Sequence, residues 1–422
     1  MFGLKRFGIK LELSTIQGML NALGNPEKNY RSIHIAGTNG KGSIASSISS
    51  ILHKSGYKVG LYTSPHLIHF NERICINNNP ITDEEVVSLY NLTKDIPKDY
   101  RDPTFFEITT AMALYEFSKE KVDFAVIETG MGGRFDATNI ISPIVSIISN
   151  ISLEHQMYLG NTIAKIAYEK AGIIKKDTPI ITGAKQKSAV SVIEEAAQSK
   201  NAPIYRLKKD FKVVRNNKSN TFSYYGLNNI WHNVKIALLG DYQIENAAIS
   251  IAACEIINKN LDKNLSFENI QEGLLATKWP GRLEVVCNSP KVILDGAHNL
   301  NGAKNLAKFL SKNIQKEKLT LVIGILNDKP FGSILRCLLP LCKRAILTTP
   351  KIDRAVPAKE LYAIAKTING NVKIIEDVGN AVRYASETSN NEDTVCIAGS
   401  LYVVGEAKEK FNGKKIEDFF KI

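Results

Sequence analysis

At 422 residues the chain is long enough for two or three domains, and 44% hydrophobic against 23% charged residues is the balance of a protein with a packed core. Its 54 basic and 42 acidic side chains leave a net charge of +12, which suits an anionic small substrate; without a dense Arg/Lys cluster interleaved with aromatics, nucleic acid is not an expected partner. No run of about 18 apolar residues argues for a membrane span, residues 1–6 carry no apolar signal region, and the six cysteines (Cys75, Cys254, Cys287, Cys337, Cys342 and Cys396) form no C-x-x-C pair, so a soluble cytoplasmic protein with core thiols is expected.

Leu11, Leu13, Ile16, Leu20 and Leu23, stopped by Gly24, predict a helix over 11–24. The apolar run Ser32-Ile33-His34-Ile35-Ala36 then enters Gly37-Thr38-Asn39-Gly40-Lys41-Gly42-Ser43, and an amphipathic segment covers 44–55. Strand, glycine loop, helix is the order in which backbone N–H groups and a helix N-terminus can cradle a polyphosphate. Lys41 would reach the terminal phosphates, and the Ser43 hydroxyl would ligate Mg²⁺, a cation that prefers oxygen. The spacing departs from G-x-x-x-x-G-K-[ST], because Gly42 separates Lys41 from Ser43. A flexible turn that happens to carry a lysine is the structural alternative.

A strand over 57–62 ends at Thr63-Ser64-Pro65-His66. Thr82-Asp83-Glu84-Glu85 is a capping-box helix start, and another helix covers about 105–119. The strand over 122–128 ends on Glu128 and enters a glycine-rich loop reaching Asn139. A buried-type strand over 144–151 runs into Ser152-Leu153-Glu154-His155, and a helix follows with Glu169-Lys170-Ala171-Gly172 at its end. Residues 202–239 predict small antiparallel strands broken by Asn/Lys turns, with helices near 243–258 and 266–276. Trp279-Pro280-Gly281-Arg282 reads as a hinge. Beyond it, strands near 291–294, 318–323, 344–349, 372–375 and 394–399 alternate with helices. The expected fold is α/β: a P-loop-type parallel-sheet domain over 1–281 with a small antiparallel subregion, then a Rossmann-like domain over 282–422.

In open α/β sheets, ligands bind outside the carboxyl ends of the strands. Ser64, Glu128 and His155 all follow such ends. An acid there, downstream of a phosphate loop, suits Mg²⁺ coordination; a solvated strand-end carboxylate is the alternative. For His155 the alternative is a plain polar residue. Lys170, read physically, is a helix-end lysine favoured by the helix dipole.

The glycine loop, Thr63-Ser64-Pro65-His66-Leu67, residues 128–139, Glu169-Lys170-Ala171-Gly172-Ile173, Pro280-Gly281-Arg282, Asp295-Gly296-Ala297-His298-Asn299, Asp328-Lys329 and Gly399-Ser400-Leu401-Tyr402 lie in one order across nearly the whole chain. By these segments the sequence resembles the folylpolyglutamate synthase/dihydrofolate synthase family, within the Mur-ligase type of ATP-dependent amide-forming enzymes. The resemblance implies ligation of L-glutamate to dihydropteroate or a folate through an acyl phosphate, in a monomer expected to do both reactions. It implies that Gly37, Thr38, Asn39, Gly40, Lys41, Gly42 and Ser43 hold the ATP phosphates, and that Ser43, Ser64 and Glu128 hold one Mg²⁺. Glu128, His155 and a carbamylated Lys170 would hold a second, with a monovalent cation such as K⁺ as a further candidate.

By the same resemblance, Asn246, Arg282 and Asp295 match nucleotide contacts. His298 and Ser400 match positions for the incoming glutamate, and Thr104, Phe106 and Asp136 lie in segments lining the pterin side. His298 or a neighbouring carboxylate would take the proton of the attacking amine. Several structural readings stay open beside these: caps at Thr104, Asp295 or Asn299, and Ser400; core packing for Phe106; loop bracing for Asp136; a linker salt bridge for Arg282; a helix-face amide for Asn246. The chain departs from the family at Glu154, where Asp is frequent, and at Tyr242, where His is common. Another Mur-type ligase, a P-loop NTPase and a non-catalytic nucleotide-binding module are the rival classes.

Overall fold

Strands buried on both faces organise each half of the chain. The computed structural model describes residues 12–96, 101–216, 221–258 and 265–411. They fall into two compact units, Met1–Ala237 with Gln243–Lys278, and Leu238–Tyr242 with Trp279–Ile422.

The first unit runs α1 (Ser14–Ala22), β1 (Arg31–Ala36), α2 (Lys41–Lys54), β2 (Val59–Tyr62), β3 (Ile74–Ile76), β4 (Asn79–Pro80), α3 (Asp83–Lys94), α4 (Phe105–Lys119), β5 (Phe124–Glu128), β6 (Val145–Ile148), α5 (Gln156–Leu159) and α6 (Ile163–Ala171). It continues with β7 (Ile180–Thr182), α7 (Lys187–Ser199), β8 (Ile204–Arg206), β9 (Lys212–Asn216), β10 (Thr221–Tyr225), β11 (Ile230–Val234), α8 (Asp241–Asn258) and α9 (Phe267–Ala276). Its main sheet has the order β4-β3-β2-β5-β1-β6-β7-β8. The strands from β2 through β8 in that order are parallel, and β3 and β4 close one edge antiparallel.

Side chains alternate across this sheet, as the two-residue period of a strand requires. Ile33 and Ile35 of β1 and Val126 of β5 pack with Ile44, Ile48 and Ile51 of α2 and with α8. Ala125 and Ile127 of β5 pack with Ile108, Met112 and Phe117 of α4. The helix α8 is buried on almost every side from Asn246 to Ile257, so it reads as apolar without a solvent face.

The second unit runs β12 (Glu284–Asn288), β13 (Lys291–Leu294), α10 (Leu300–Asn313), β14 (Leu319–Ile323), α11 (Phe331–Leu338), β15 (Arg344–Leu347), α12 (Ala358–Ala365), β16 (Val372–Ile374), α13 (Val378–Glu387), β17 (Thr394–Ala398) and α14 (Leu401–Phe411). Its sheet has the order β12-β13-β17-β14-β15-β16, parallel except at β12–β13.

The expected α/β class and the parallel second unit are what the structure has. Four details differ. The first helix occupies 14–22, and Leu11 of the predicted span lies outside the described residues. The helix expected after His155 is two, α5 and α6, divided at Gly160 with φ +92°. β8 joins the main sheet parallel to β7, because α7 carries the chain back over the sheet before it; only β9–β11 form the antiparallel subregion. The edge strand β12 follows the 279–282 segment so closely that the turn signals there masked it.

Candidate active site

Between the end of β1 at Ala36 and the start of α2 at Lys41, the chain turns through Gly37 (φ +146°) and Gly40 (φ +85°). Glycine alone takes these values without strain. Space demands it too: a Cβ on Gly37 would fall on the Ser149 hydroxyl, and one on Gly40 would lie 2.6 Å from Asn246 Oδ1. The segment after β6 clamps the turn. Thr38 N–H donates to Asn150 O (2.9 Å), Asn39 N–H donates to Asn150 Oδ1 (3.1 Å), and Ser149 Oγ and Asn150 Nδ2 both donate to Asn39 O (2.7 Å each). Ser152 N–H donates to Thr38 Oγ1 at 3.0 Å.

The N–H groups of Lys41, Gly42 and Ser43 open α2, where the helix itself supplies no acceptor. With the positive end of the helix dipole they form an anion-binding turn. Replacing Gly37 by alanine therefore forces Ser149 aside. We expect a loss of roughly 1–3 kcal/mol in stability together with weaker nucleotide binding, read by thermal denaturation and nucleotide titration. An unchanged Tm with unchanged affinity would contradict this account of the turn.

Because β2, β5, β1 and β6 are neighbours, the residues after them share one edge. Glu128 ends β5, level with Ile35 of β1, and is buried. One of its oxygens accepts the Ser64 N–H at 3.1 Å; the other lies 3.7 Å from Lys41 Nζ. Lys170, in the last turn of α6, is buried as well and donates from Nζ to Gly37 O at 2.8 Å. Burial, and then the charge of Lys41, push its amine down to about 7. Ser43 Oγ accepts from Gln243 Nε2 at 3.2 Å. His155 precedes α5 with φ +51°, a left-handed conformation uncommon for a non-glycine residue. Its Nε2 lies 4.0 Å from Glu154 Oε1.

Among the described residues, no group of three or more His, Cys, Asp and Glu side chains is set to hold a metal. The donors at this edge are of another kind. The Glu128 carboxylate and the Ser43 hydroxyl are hard oxygen donors, beside a turn whose free N–H groups suit an anion. That suits Mg²⁺, which keeps waters and phosphate oxygens and takes only one or two protein carboxylates. Lys170 as an amine does not ligate a cation; only an oxygen-bearing derivative of it would.

Asp136 is buried in the loop after β5. It accepts from Met131 N–H (2.9 Å), Thr138 N–H (3.1 Å) and Thr138 Oγ1 (2.5 Å), so it braces that loop. Burial pushes its carboxyl up, against the pull of those hydrogen bonds. Thr138 Oγ1 in turn lies 2.8 Å from His34 Nε2, and burial lowers His34 to about 3, so this histidine is neutral. The Phe106 ring covers Gly130, where a Cβ would meet it at 2.5 Å, and Phe106 tilts against Tyr62 with ring centroids 6.0 Å apart. Thr104 caps α4, accepting the Glu107 N–H at 3.2 Å. Asn246, on α8, donates to Gln243 Oε1 at 2.8 Å.

The second unit carries its own strand-end cluster. Asp295 follows β13, is buried, and accepts from Leu283 N–H and Ala297 N–H at 3.0 Å each. Burial raises its carboxyl, and Arg282 pulls it back. His298 Nδ1 lies 2.8 Å from Gly296 O; a carbonyl only accepts, so Nδ1 carries the proton and Nε2 is the basic nitrogen. Asn299 caps α10 by accepting Gly302 N–H at 2.8 Å. Ser400 follows β17, the neighbour of β13, and accepts Val403 N–H at 3.2 Å. Thus the capping geometries at Thr104, Asn299 and Ser400 are all present.

Residues 35–254 match the Mur ligase middle domain, and residues 281–401 match the Mur ligase, glutamate ligase domain. Over 418 residues the chain is 38% identical to the dihydrofolate synthase/folylpolyglutamate synthase of Bacillus subtilis (strain 168), covering 97% of this chain and 96% of the relative. The chain belongs to the dihydrofolate synthase/folylpolyglutamate synthase family of Mur ligases. A Mycobacterium tuberculosis folylpolyglutamate synthase, solved in complexes with ADP and AMPPCP, superposes with a TM-score of 0.88 at 31% identity, covering 96% of each chain. The Escherichia coli FolC in complex with DHPP and ADP superposes with a TM-score of 0.87 at 29% identity, covering 96% of this chain and 94% of that one.

For this Mur ligase, four residues of the first unit were not singled out from sequence: Ser149 and Asn150, which clamp the turn, His34, which supports the Asp136 loop, and Gln243. Only Gln243 had a signal, its place in the segment before Asn246. Among the described residues, no helix is long and apolar enough to cross a membrane.

Proposed function

We propose that this chain is a bifunctional dihydrofolate synthase/folylpolyglutamate synthase. It joins L-glutamate to dihydropteroate, and further glutamate to reduced folates, using ATP and releasing ADP and phosphate. The observation that carries this reading is the convergence of Lys41, Ser43, Glu128 and Lys170 on one glycine turn, in a chain that aligns almost end to end with a relative of that name.

A free carboxylate resists amide formation because oxide is a poor leaving group. The γ-phosphoryl of ATP passes to that carboxylate, the glutamate α-amine attacks the resulting acyl phosphate, and the tetrahedral intermediate expels phosphate. The chain's part in the first step is placement and charge. The first-turn N–H groups of α2 and Lys41 Nζ bind the phosphates. Glu128 and Ser64 hold Lys41 and the strand edge in place. Ser43, Ser64 and Glu128 would hold Mg²⁺, which supplies charge neutralisation at the phosphate oxygens.

Lys170 has the one buried amine at this edge whose proton is loosely held, and a neutral amine is what adds CO₂. The nitrogen attacks the carbon, one proton leaves to solvent, and a carbamate replaces the cation. With Glu128 and His155 that carbamate would form a second oxygen-rich site; a monovalent cation such as K⁺ is a further candidate for this edge. In the second unit, which we assign to glutamate, His298 Nε2 takes the proton of the attacking amine while Ser400 binds the glutamate. Arg282, Asp295 and Asn246 contact the nucleotide, and Thr104, Phe106 and Asp136 line the pterin side. Six free thiols fit a reducing cytoplasm, and the protein acts as a monomer.

Purified protein given dihydropteroate with heavy oxygen in its carboxylate, ATP, Mg²⁺ and L-glutamate is expected to yield dihydrofolate and phosphate that carries the label. Unlabelled phosphate would sink the acyl-phosphate route, and absence of a glutamylated product would sink the ligase.

A further inference from the structure

Gln243 is 1% exposed on α8, one of four buried polar side chains, with Asn246, Ser250 and Glu255, on a helix whose other buried positions are apolar. A buried amide is costly unless its polar atoms are used. Both ends of this one are: Oε1 accepts from Asn246 Nδ2 at 2.8 Å, and Nε2 donates to Ser43 Oγ at 3.2 Å. Asn246 is itself pinned, since its amide packs against Gly40 in the phosphate turn. The two amides thus form a short relay from Gly40 through Asn246 and Gln243 to Ser43.

The direction of that last hydrogen bond matters. A serine hydroxyl has one proton and two lone pairs. The Gln243 N–H occupies one lone pair, so the Ser43 proton points elsewhere and one lone pair is left for a cation. We propose that Gln243 is a positioning residue that orients the Ser43 hydroxyl as a Mg²⁺ ligand, with the serine proton turned towards a phosphate oxygen. The inference rests on the reading of this edge as an ATP site and deepens it. It also explains a polar pair 200 residues apart in sequence.

The test compares the affinity of AMPPCP with and without Mg²⁺, by calorimetry, in the wild type and in Gln243→Met, which keeps the volume of the side chain and removes its donor. The gain in affinity that Mg²⁺ brings is expected to fall about tenfold; because that gain is a ratio taken within one variant, any loss of metal-free affinity from Asn246, whose Nδ2 loses its acceptor as well, cancels from it. In a Ser43→Ala background, Gln243→Met is expected to add no further loss. A full Mg²⁺ gain in Gln243→Met, or losses that add in the double variant, would overturn the proposal. If Gln243→Met does not fold, Gln243→Leu serves, because it too removes the donor without adding charge; the same loss of the Mg²⁺ gain is expected. A wild type that shows no Mg²⁺-dependent AMPPCP binding would instead remove the ATP-site reading beneath it.

Discussion

Replacing Lys41 by methionine is expected to lower kcat on the order of 10²–10³-fold, the usual consequence of removing one fixed charge aimed at developing transition-state charge. Lys41 sits where the glycine turn meets the strand edge that carries Glu128, with its ammonium 3.7 Å from that carboxylate. Glu128 is nearly buried, so loss of its cationic neighbour leaves a buried carboxylate with less charge compensation. Binding of the pterin substrate, measured without nucleotide, is expected to change little. Rapid-quench measurement of the first turnover separates the two effects. A variant that forms product at the wild-type rate would show that Lys41 only braces the turn.

The second large effect is at Lys170. Its amine is held at about 7 by burial and by Lys41, so it is largely an ammonium below that pH and largely neutral above it. Only the neutral amine adds CO₂. In buffer depleted of CO₂, activity is therefore expected to fall and to return on adding bicarbonate, with the return failing as the pH drops through about 7. Lys170→Ala is expected to lose activity by a factor on the order of 10² or more, with partial rescue by a short carboxylic acid that fills the space. Lys170→Arg keeps the charge but cannot form the carbamate, and it is expected to stay inactive whatever the bicarbonate. Mass spectrometry of the intact protein at alkaline pH reads the modification directly. Indifference to CO₂ with an active Lys170→Arg variant would reduce Lys170 to a structural tie on Gly37 O.

Much of this site was legible before the fold was known, for a physical reason. A parallel sheet gathers the residues where its apolar runs stop on one edge, so Ser64, Glu128 and the Gly37–Ser43 turn stood out as candidates by position. Neighbouring strand order was not written there, yet the register of β1 with β5 brings Ile35 level with Glu128 and makes those ends adjacent. Lys170 was illegible by composition. A lysine at a helix end is normally solvated, and only the packing of α6 against the turn buries it; the role proposed for it came from the family resemblance. Ser149 and Asn150 were missed because hydrogen bonds across 110 and 111 residues leave no local pattern, and the place of Gln243 before Asn246 did not reveal its bond to Ser43, 200 residues away. β8 was misassigned for a similar reason, since a three-residue strand carries too little alternation to reveal whether it continues a parallel sheet or starts a hairpin.

The most direct measurement is phosphate release from ATP by purified protein with Mg²⁺, given dihydropteroate or tetrahydrofolate, with and without L-glutamate. Release that needs both the pterin substrate and glutamate, with a product heavier by one glutamyl unit for each of the two pterins, is the predicted result. Release indifferent to both would contradict it and leave an ATP-hydrolysing protein or a ligase for another carboxylate.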